Sequence, residues 1–333
     1  MTSTLPIEVL DLRHFSARQM RALLEEESRE WSSKLRWDYH SSVDLLLQYL
    51  DSRVLPGFVA LDRGRVCGYV FCVYEATKAV IGDVYATATN GGQTPAPAVE
   101  SCLLLHLLEM LQNSPNVDRI ESQLLLHSTG MHIEPFRKRN FRIYPRLFME
   151  CDLRNQVLYP PVGTAVEPDV ELRKWVADDF QAAGELIHYS YLGHLDSRIN
   201  NQYRTLSGSL RFLHNIVRFP GCGVFDADGS WVVQNRRTGA LEGLLLSSKV
   251  RDDVAHITQI CVAPMHRGVG LGGRLLRHCI HTLQARNFSA ITLTVTESNR
   301  TAVRLYEHFG FTVRHSFDAM VWDPSEGERQ GEK

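Results

Sequence analysis

The sequence predicts an α/β protein in which one unit is laid down twice, and three observations predict it. The two copies start alike. VLDLRHF (residues 9–15) alternates like a strand before a helix-like stretch from Ser16, and VELRKW (170–175) does the same before a stretch near Asp178. They end alike, with FRKRNF (136–141) lying over YEHFGF (306–311). Asn140 standing for Gly310 is physically sensible, because both tolerate the left-handed backbone that closes a helix. Between start and end, both copies run through the same order of strand-like and helix-like stretches.

Taken in order, Ser16 and Asp178 are capping residue types that open a helix after each first strand. Residues 57–62 and 66–75 read as two strands about the tight turn Arg63-Gly64-Arg65. In the second copy, residues 222–225, the turn Asp226–Gly229, and runs at 230–234 and 240–250 take their place. A third strand follows in each, at Ala79–Thr87 and Val254–Val262, then a long helical pattern, an apolar strand, a short helix and a closing strand. The first copy is expected over residues 1–154 and the second over 170–323, joined by a linker at 155–169 with Pro160, Pro161, Gly163 and Pro168. The polar tail, 324–333, is expected to be disordered.

Length and composition agree with this organisation. A chain of 333 residues can bury two cores, and 44% apolar with 22% charged residues is ordinary for a globular protein. A net charge of −2 without blocks of like charge argues against nucleic acid or a membrane surface as partner. The seven cysteines lack zinc-ligand spacing and read as buried free thiols in a reducing compartment. The start MTSTLPIEVL has no signal-peptide pattern and no apolar run spans a bilayer, so the expected location is cytoplasmic.

The chemistry concentrates in HITQICVAPMHRGVGLGGRLL (256–276). A strand ends at Val262, Pro264 stops it, and a glycine-dense turn leads into a helix whose stripe is Leu271, Leu275, Leu276, Cys279, Ile280 and Leu283. Glycines at a helix start bare successive N–H groups, and the helix dipole adds positive charge, so the turn suits a pyrophosphate. Gly268, Gly270 and Gly273 formally satisfy the dinucleotide fingerprint, but no acidic residue follows at the ribose-binding distance. No Lys-Ser/Thr follows the glycines, so the turn is not a P-loop. A glycine-rich helix start without any ligand is the plain alternative.

A second motif completes the pattern. After the strand Ala290–Thr296 come Ser298-Asn299, Ala302, Leu305-Tyr306-Glu307 and Gly310-Phe311. Together with Arg267, Gly270 and Gly272 in the order R-x-x-G-x-G, these closely resemble the GNAT superfamily of acyl-CoA-dependent N-acyltransferases. The resemblance covers the whole second copy, and the first resembles the same fold in outline. It implies two tandem GNAT-like domains, each a mixed, mostly antiparallel twisted sheet flanked by helices. It also implies acyl transfer, most simply acetyl transfer, from acetyl-CoA or another acyl-CoA to an amine of a small molecule or peptide, with no metal. Oligomerisation is left open.

By that resemblance, the backbone of Cys261, Val262 and Ala263 pairs with the pantetheine amides. The pyrophosphate rests on N–H groups of Arg267, Gly268, Val269, Gly270, Leu271, Gly272 and Gly273, with the Arg267 side chain steadying the loop. Asn299 contacts the pantetheine arm or simply caps its helix; the two roles are compatible. Tyr306 resembles the general acid that protonates the departing thiolate, a task suited to a phenol of pKa about 10; its alternative is a core aromatic. Family members that keep a glutamate before the loop have it where this chain has His256, which serves as base or as a structural strand residue. Those that place the base on the following strand have it where this chain has Thr294, which cannot act as one.

The acceptor wall should come from residues 189–203, where Tyr191, His194 and Asp196 can orient an amine or bind its cation, or merely form a solvated helix end. His188, His194 and Asp196 match no standard metal spacing. In the first copy, Thr89–Ala98 carries Pro95 and Pro97 where donors are needed, and Phe136 stands where Tyr306 does, so that copy should be silent. Trp31, Trp37 and Tyr39 line its surface or, more simply, belong to its core. Two rivals stand beside the enzyme: a non-catalytic acyl-CoA sensor, and nucleotide binding through the glycine loop.

Overall fold

The structure, a computed structural model, describes residues 7–87, 94–155, 165–167, 169–219, 221 and 223–325. Among them, two compact units separate. One takes residues up to 35, 39–146 and those from 316 onward; the other takes 36–38 and 147–315.

The first unit runs β1 (Ile7–Asp11), α1 (Ala17–Leu35), α2 (His40–Asp51), β2 (Gly57–Asp62), β3 (Arg65–Glu75), β4 (Lys78–Ala86), α3 (Ala96–Gln112), β5 (Arg119–Gln123), α4 (Ile133–Arg137) and the start of β6 (Arg142–Asp152). β1 to β4 pair antiparallel in order, and β5 joins β4 in parallel. Asp62 pairs with Arg65, leaving a two-residue turn in which Arg63 (φ 51°) and Gly64 (φ 75°) are both left-handed. That is the turn whose twist matches a hairpin. A parallel step needs a crossover, which α3 supplies while burying Leu103, Leu104, Leu107, Leu108 and Leu111 completely. Trp31 is buried and its ring stacks on Tyr39 at 4.5 Å, which fits the core reading of these two aromatics, whereas Trp37, also buried, belongs to the second unit.

The second unit repeats the plan with β7 (Ala165–Glu167), β8 (Val170–Lys174), α5 (Phe180–Tyr191), α6 (Asp196–Ile199), α7 (Leu206–Arg218), β9 (Val224–Phe225), β10 (Trp231–Asn235), β11 (Leu241–Arg251), β12 (Val254–Val262), α8 (Leu271–Ala285), β13 (Ala290–Thr296), α9 (Arg300–His308) and the start of β14 (Thr312–Trp322). β8, β10, β11 and β12 are antiparallel in that order, and β13 is parallel to β12. The apolar stripe of α8 packs against one face of the sheet, with Leu275, Leu276, Cys279 and Leu283 fully buried. α5 and α7 cover the other face through Ala183, Leu186, Ile187 and Leu213. β9 is shorter than expected and pairs with β11, not with β10.

In both units the parallel pair is short. β4 meets β5 over Lys78–Ile81, and β12 meets β13 over Val254–Ile257. Beyond those residues the strands part.

The closing strands depart from the expectation of two self-contained copies. β6 and β14 are 11 residues long, and each serves both units. Leu147–Asp152 of β6 belong to the second unit, while Ser316–Trp322 of β14 belong to the first, where Ala319–Trp322 pair with β5. The expected first copy, 1–154, thus includes β6 residues of the second unit, and the expected second copy, 170–323, includes β14 residues of the first.

Five of the six described cysteines are buried, and burial pushes the Cys72 and Cys151 thiols up to about 12. No helix among the described residues is long and apolar enough to cross a membrane. Residues 88–93, most of the 155–169 linker, Cys222 and the end of the tail lie outside the described residues.

Candidate functional site

The site begins where β12 leaves β13. The Ala263 N–H donates to Glu242 O at 2.8 Å, so the backbone of 263, and by alternation that of 261, faces β11. Val262 and Ile260 then turn their N–H and C=O groups towards the gap left by β13. This divides the three residues named from the sequence: Val262 offers its backbone there, Cys261 and Ala263 do not, and Ile260 is an addition. The Cys261 and Ala263 side chains lie with Tyr203 on the α5–α7 side. Burial pushes the Cys261 thiol to about 12, which keeps it from being a nucleophile at neutral pH.

The glycine turn follows. Gly268 (φ 85°) and Gly270 (φ 87°) hold left-handed backbone that side chains resist, and a Cβ at either would meet nothing within 4 Å. The turn is open in front. Gly272 and Gly273 face α9, where a Cβ would make ordinary contact with Leu305 at 3.5 Å and Phe309 at 3.4 Å. Gly270 is the N-cap of α8, and the N–H groups of the first turn have no helical partners. Val269 is 61% exposed and leaves the turn clear. The Arg267 guanidinium donates to Val262 O at 3.1 Å and to Ser190 O at 2.7 Å, tying the turn to β12 and to α5.

α9 approaches from the other side. Asn299 is its N-cap, its Oδ1 accepting from the Ala302 N–H at 3.3 Å. Tyr306 lies on the buried face, 6% exposed, with its ring centroid 5.9 Å from Phe311.

Residues 191–203 bridge both arms of the gap. Tyr191 stacks on Tyr203 at 4.1 Å. The Tyr203 hydroxyl donates to Gln259 Oε1 on β12 at 3.1 Å, and the Thr296 hydroxyl at the end of β13 donates to Asp196 Oδ1 at 2.5 Å. His194 Nδ1 accepts from the Asp196 N–H at 3.2 Å and lies 3.7 Å from its carboxylate. Burial holds the Tyr191 phenol well above its ordinary value, and Tyr203, Asp196, Cys261 and Tyr306 add to the effect. Tyr306, Tyr191 and Asp196 thus share one electrostatic neighbourhood. The sequence did not single out Tyr203, Gln259 or Thr296. Two buried polar residues on β12 and β13 were the available signal.

His256 stands apart from that group. It lies in the paired part of β12, 5% exposed, six residues before Val262. Its ring packs against Trp37 at 5.0 Å and Phe148 at 5.9 Å. The Thr292 hydroxyl gives its one proton to Ala255 O, so it accepts from His256 Nδ1 at 2.8 Å, which fixes the tautomer.

In the first unit, Phe136 is fully buried against Phe141, 5.1 Å edge to face. α3 opens with Pro95 as N-cap and Pro97 in its first turn, so two N–H donors are missing from the helix start.

Residues 199–311 match the family model described as Acetyltransferase (GNAT) family. The chain is 37% identical over 100 residues to a mycothiol acetyltransferase of Thermomonospora curvata, covering 30% of this chain and 33% of that protein. It is 38% identical over 96 residues to N-alpha-acetyltransferase 40 of Saccharomyces cerevisiae, covering 27% and 33%. Against the ribosomal protein bS18-alanine N-acetyltransferase of Escherichia coli the figures are 33% over 87 residues, 25% of this chain and 58% of that one. The chain thus spans between a third and about three fifths of these relatives. Among solved structures, a GCN5-related N-acetyltransferase from Sphaerobacter thermophilus aligns over 96% of this chain and 97% of its own, with TM-score 0.64 and 15% identity. A tandem GNAT protein from the clavulanic acid biosynthesis pathway aligns over 95% and 98%, with TM-score 0.57 and 14% identity. At those identities the likeness is one of fold.

Proposed function

For a chain whose residues 199–311 match the GNAT acetyltransferase family and whose fold is shared with GNAT structures, one of them tandem, we propose that the second unit transfers an acetyl group from acetyl-CoA to an amine while the first does not. What supports this reading is the glycine turn, open at Gly268 and Gly270, beside a β12 whose pairing with β13 ends at Ile257, together with a Tyr306 phenol near enough to Tyr191 to help raise it.

The diphosphate of the co-substrate would rest on the first-turn N–H groups of α8, where Gly268 and Gly270 leave space and the helix dipole favours negative charge. Arg267 holds that turn in shape through Val262 O and Ser190 O. The Val262 and Ile260 backbone groups would take the place of the missing strand for the pantetheine amides, and Asn299 stands beside them at the start of α9. With the thioester lying along β12, the Val262 N–H is the donor available to its carbonyl oxygen as negative charge develops there.

The amine would enter against Tyr191, His194 and Asp196. The Asp196 carboxylate attracts a protonated amine, and Thr296 holds it in place. Attack needs the neutral amine. His256 would receive the proton only through intervening groups, since its ring lies well down β12. The amine nitrogen forms its bond to the acetyl carbon, the carbon–sulfur bond breaks, and Tyr306 gives its phenolic proton to the departing thiolate. The acceptor is an amine of a small molecule or a peptide. Names among the relatives point both ways.

The test is a free-thiol assay of coenzyme A release with a panel of amines. Release that depends on amine supports the reading. Acetyl-CoA binding with no release for any amine class would instead make the protein a sensor.

A further inference from the structure

We propose that the first unit holds a zinc-class divalent metal ion on Glu100, His127 and His132, a site separate from acyl transfer. Glu100 comes from α3, while His127 and His132 come from the segment between β5 and α4. All three are buried, with 5%, 8% and 4% exposure.

Each residue is tied down by the atom that would not face the ion. The Ala86 N–H donates to Glu100 Oε1 at 3.1 Å. His127 Nε2 lies 2.8 Å from Val84 O, and because a carbonyl only accepts, the ring donates there. His132 Nδ1 lies 3.4 Å from Ser101 Oγ, whose own proton goes to Pro97 O at 2.8 Å, so this ring donates as well. A histidine whose other nitrogen donates to a carbonyl or hydroxyl is oriented as metal-ligating histidines are.

The three remaining atoms, Glu100 Oε2, His127 Nδ1 and His132 Nε2, lie within 4.8 Å of one another. Glu100 Oε2 is 2.9 Å from His132 Nε2 and 3.8 Å from His127 Nδ1. At 2.9 Å His132 Nε2 and Glu100 Oε2 stand at ordinary hydrogen-bond distance, whereas His127 Nδ1, the lone-pair nitrogen of a ring that donates to Val84 O, faces the same carboxylate oxygen at 3.8 Å with no proton between them, a pairing that a cation would relieve. Two imidazoles and a carboxylate form a donor set that suits zinc and that magnesium and calcium, which take oxygen ligands, do not favour.

A second observation points the same way. His127 and His132 line a cleft together with Asp318 of β14. Asp318 is 6% exposed; its Oδ2 accepts from the Gly130 N–H at 2.7 Å, and its buried Oδ1 has no partner among the described residues. A water completing the coordination through that cleft would find an acceptor there. The ion would pin α3 to the segment before α4, so its role is to brace the unit.

The test uses the full chain, stripped with EDTA and dialysed. Zinc chloride should then bind at one equivalent by calorimetry and raise Tm, whereas magnesium chloride should do neither. His127→Gln and His132→Asn should each weaken zinc binding by more than about 100-fold, since even outer-shell changes cost about 10–100-fold. If either variant fails to fold, the absorption spectrum of the cobalt-loaded wild-type chain decides, because a four-coordinate nitrogen–oxygen site gives intense visible bands. A folded, stripped protein that takes up neither zinc nor cobalt would overturn the proposal, as would one-equivalent binding retained in both variants. Neither result bears on coenzyme A release.

Discussion

In the proposed transfer, Tyr306 is the residue on which the chemistry would turn. Tyr306→Phe removes one oxygen from a 6% exposed side chain, so the packing survives and the proton donor does not. kcat should fall by about 10²–10⁴, the usual worth of a positioned acid, with acetyl-CoA affinity nearly unchanged. Full turnover in that variant would remove the acid from Tyr306. Asp196→Asn should act on the acceptor instead, raising KM for a cationic amine by about tenfold or more while leaving acetyl-CoA binding alone. Equal KM values would mean that the carboxylate only braces β13 through Thr296. The placement of Asn299 and Tyr306 on one short helix was legible in the sequence, because their motif fixes the spacing; their roles belong to the proposal. Burial was not legible, so His256 drew attention as a base although its ring is packed between Trp37 and Phe148. The role of Tyr203 as a strut to Gln259 was equally hidden, since the two residues stand 56 positions apart.

The turn into α8 is the element that a single methyl should damage most. Gly270→Ala forces a side chain into φ 87°, at a cost of roughly 1–2 kcal/mol, and crowds the space where a diphosphate would sit. Acetyl-CoA affinity should drop by about tenfold or more, whereas Gly64→Ala, left-handed at φ 75° in the β2–β3 turn of the first unit, should lose only stability. Equal affinity in the two variants would separate the turn from the ligand. This element was legible because glycine spacing announces backbone that other residues avoid. The splay beside it was not, because β12 and β13 read as ordinary apolar strands and only their pairing shows where contact stops. The closing strands misled for a related reason. Alternation along Thr312–Trp322 says which side chains are buried but not which sheet they complete, and Ser316–Trp322 belong to the first unit.

For the molecule as a whole, the repeat and the fold class were readable from matched starts and ends, and the unit boundaries were not. Stability should carry the mark of a buried acid pair in the first unit. Burial raises Glu27 to about 7 and Asp83 well above its ordinary value, and the Tyr69 hydroxyl donates to Glu27 at 2.6 Å. A raised carboxyl favours the folded state fully below its unfolded value near 4.5, and that contribution is lost as pH rises through about 7. Tm should therefore fall between about pH 4.5 and 7, and Glu27→Gln should flatten the slope. An unchanged slope in that variant would place the pH dependence elsewhere.

The most direct measurement is titration calorimetry of the full chain with acetyl-CoA, run beside ATP and NAD. One site per chain that takes acetyl-CoA and neither nucleotide, with heat lost in Gly270→Ala, is the expected result. No heat with acetyl-CoA, or equal heat with ATP or NAD, would contradict a turn built to hold coenzyme A.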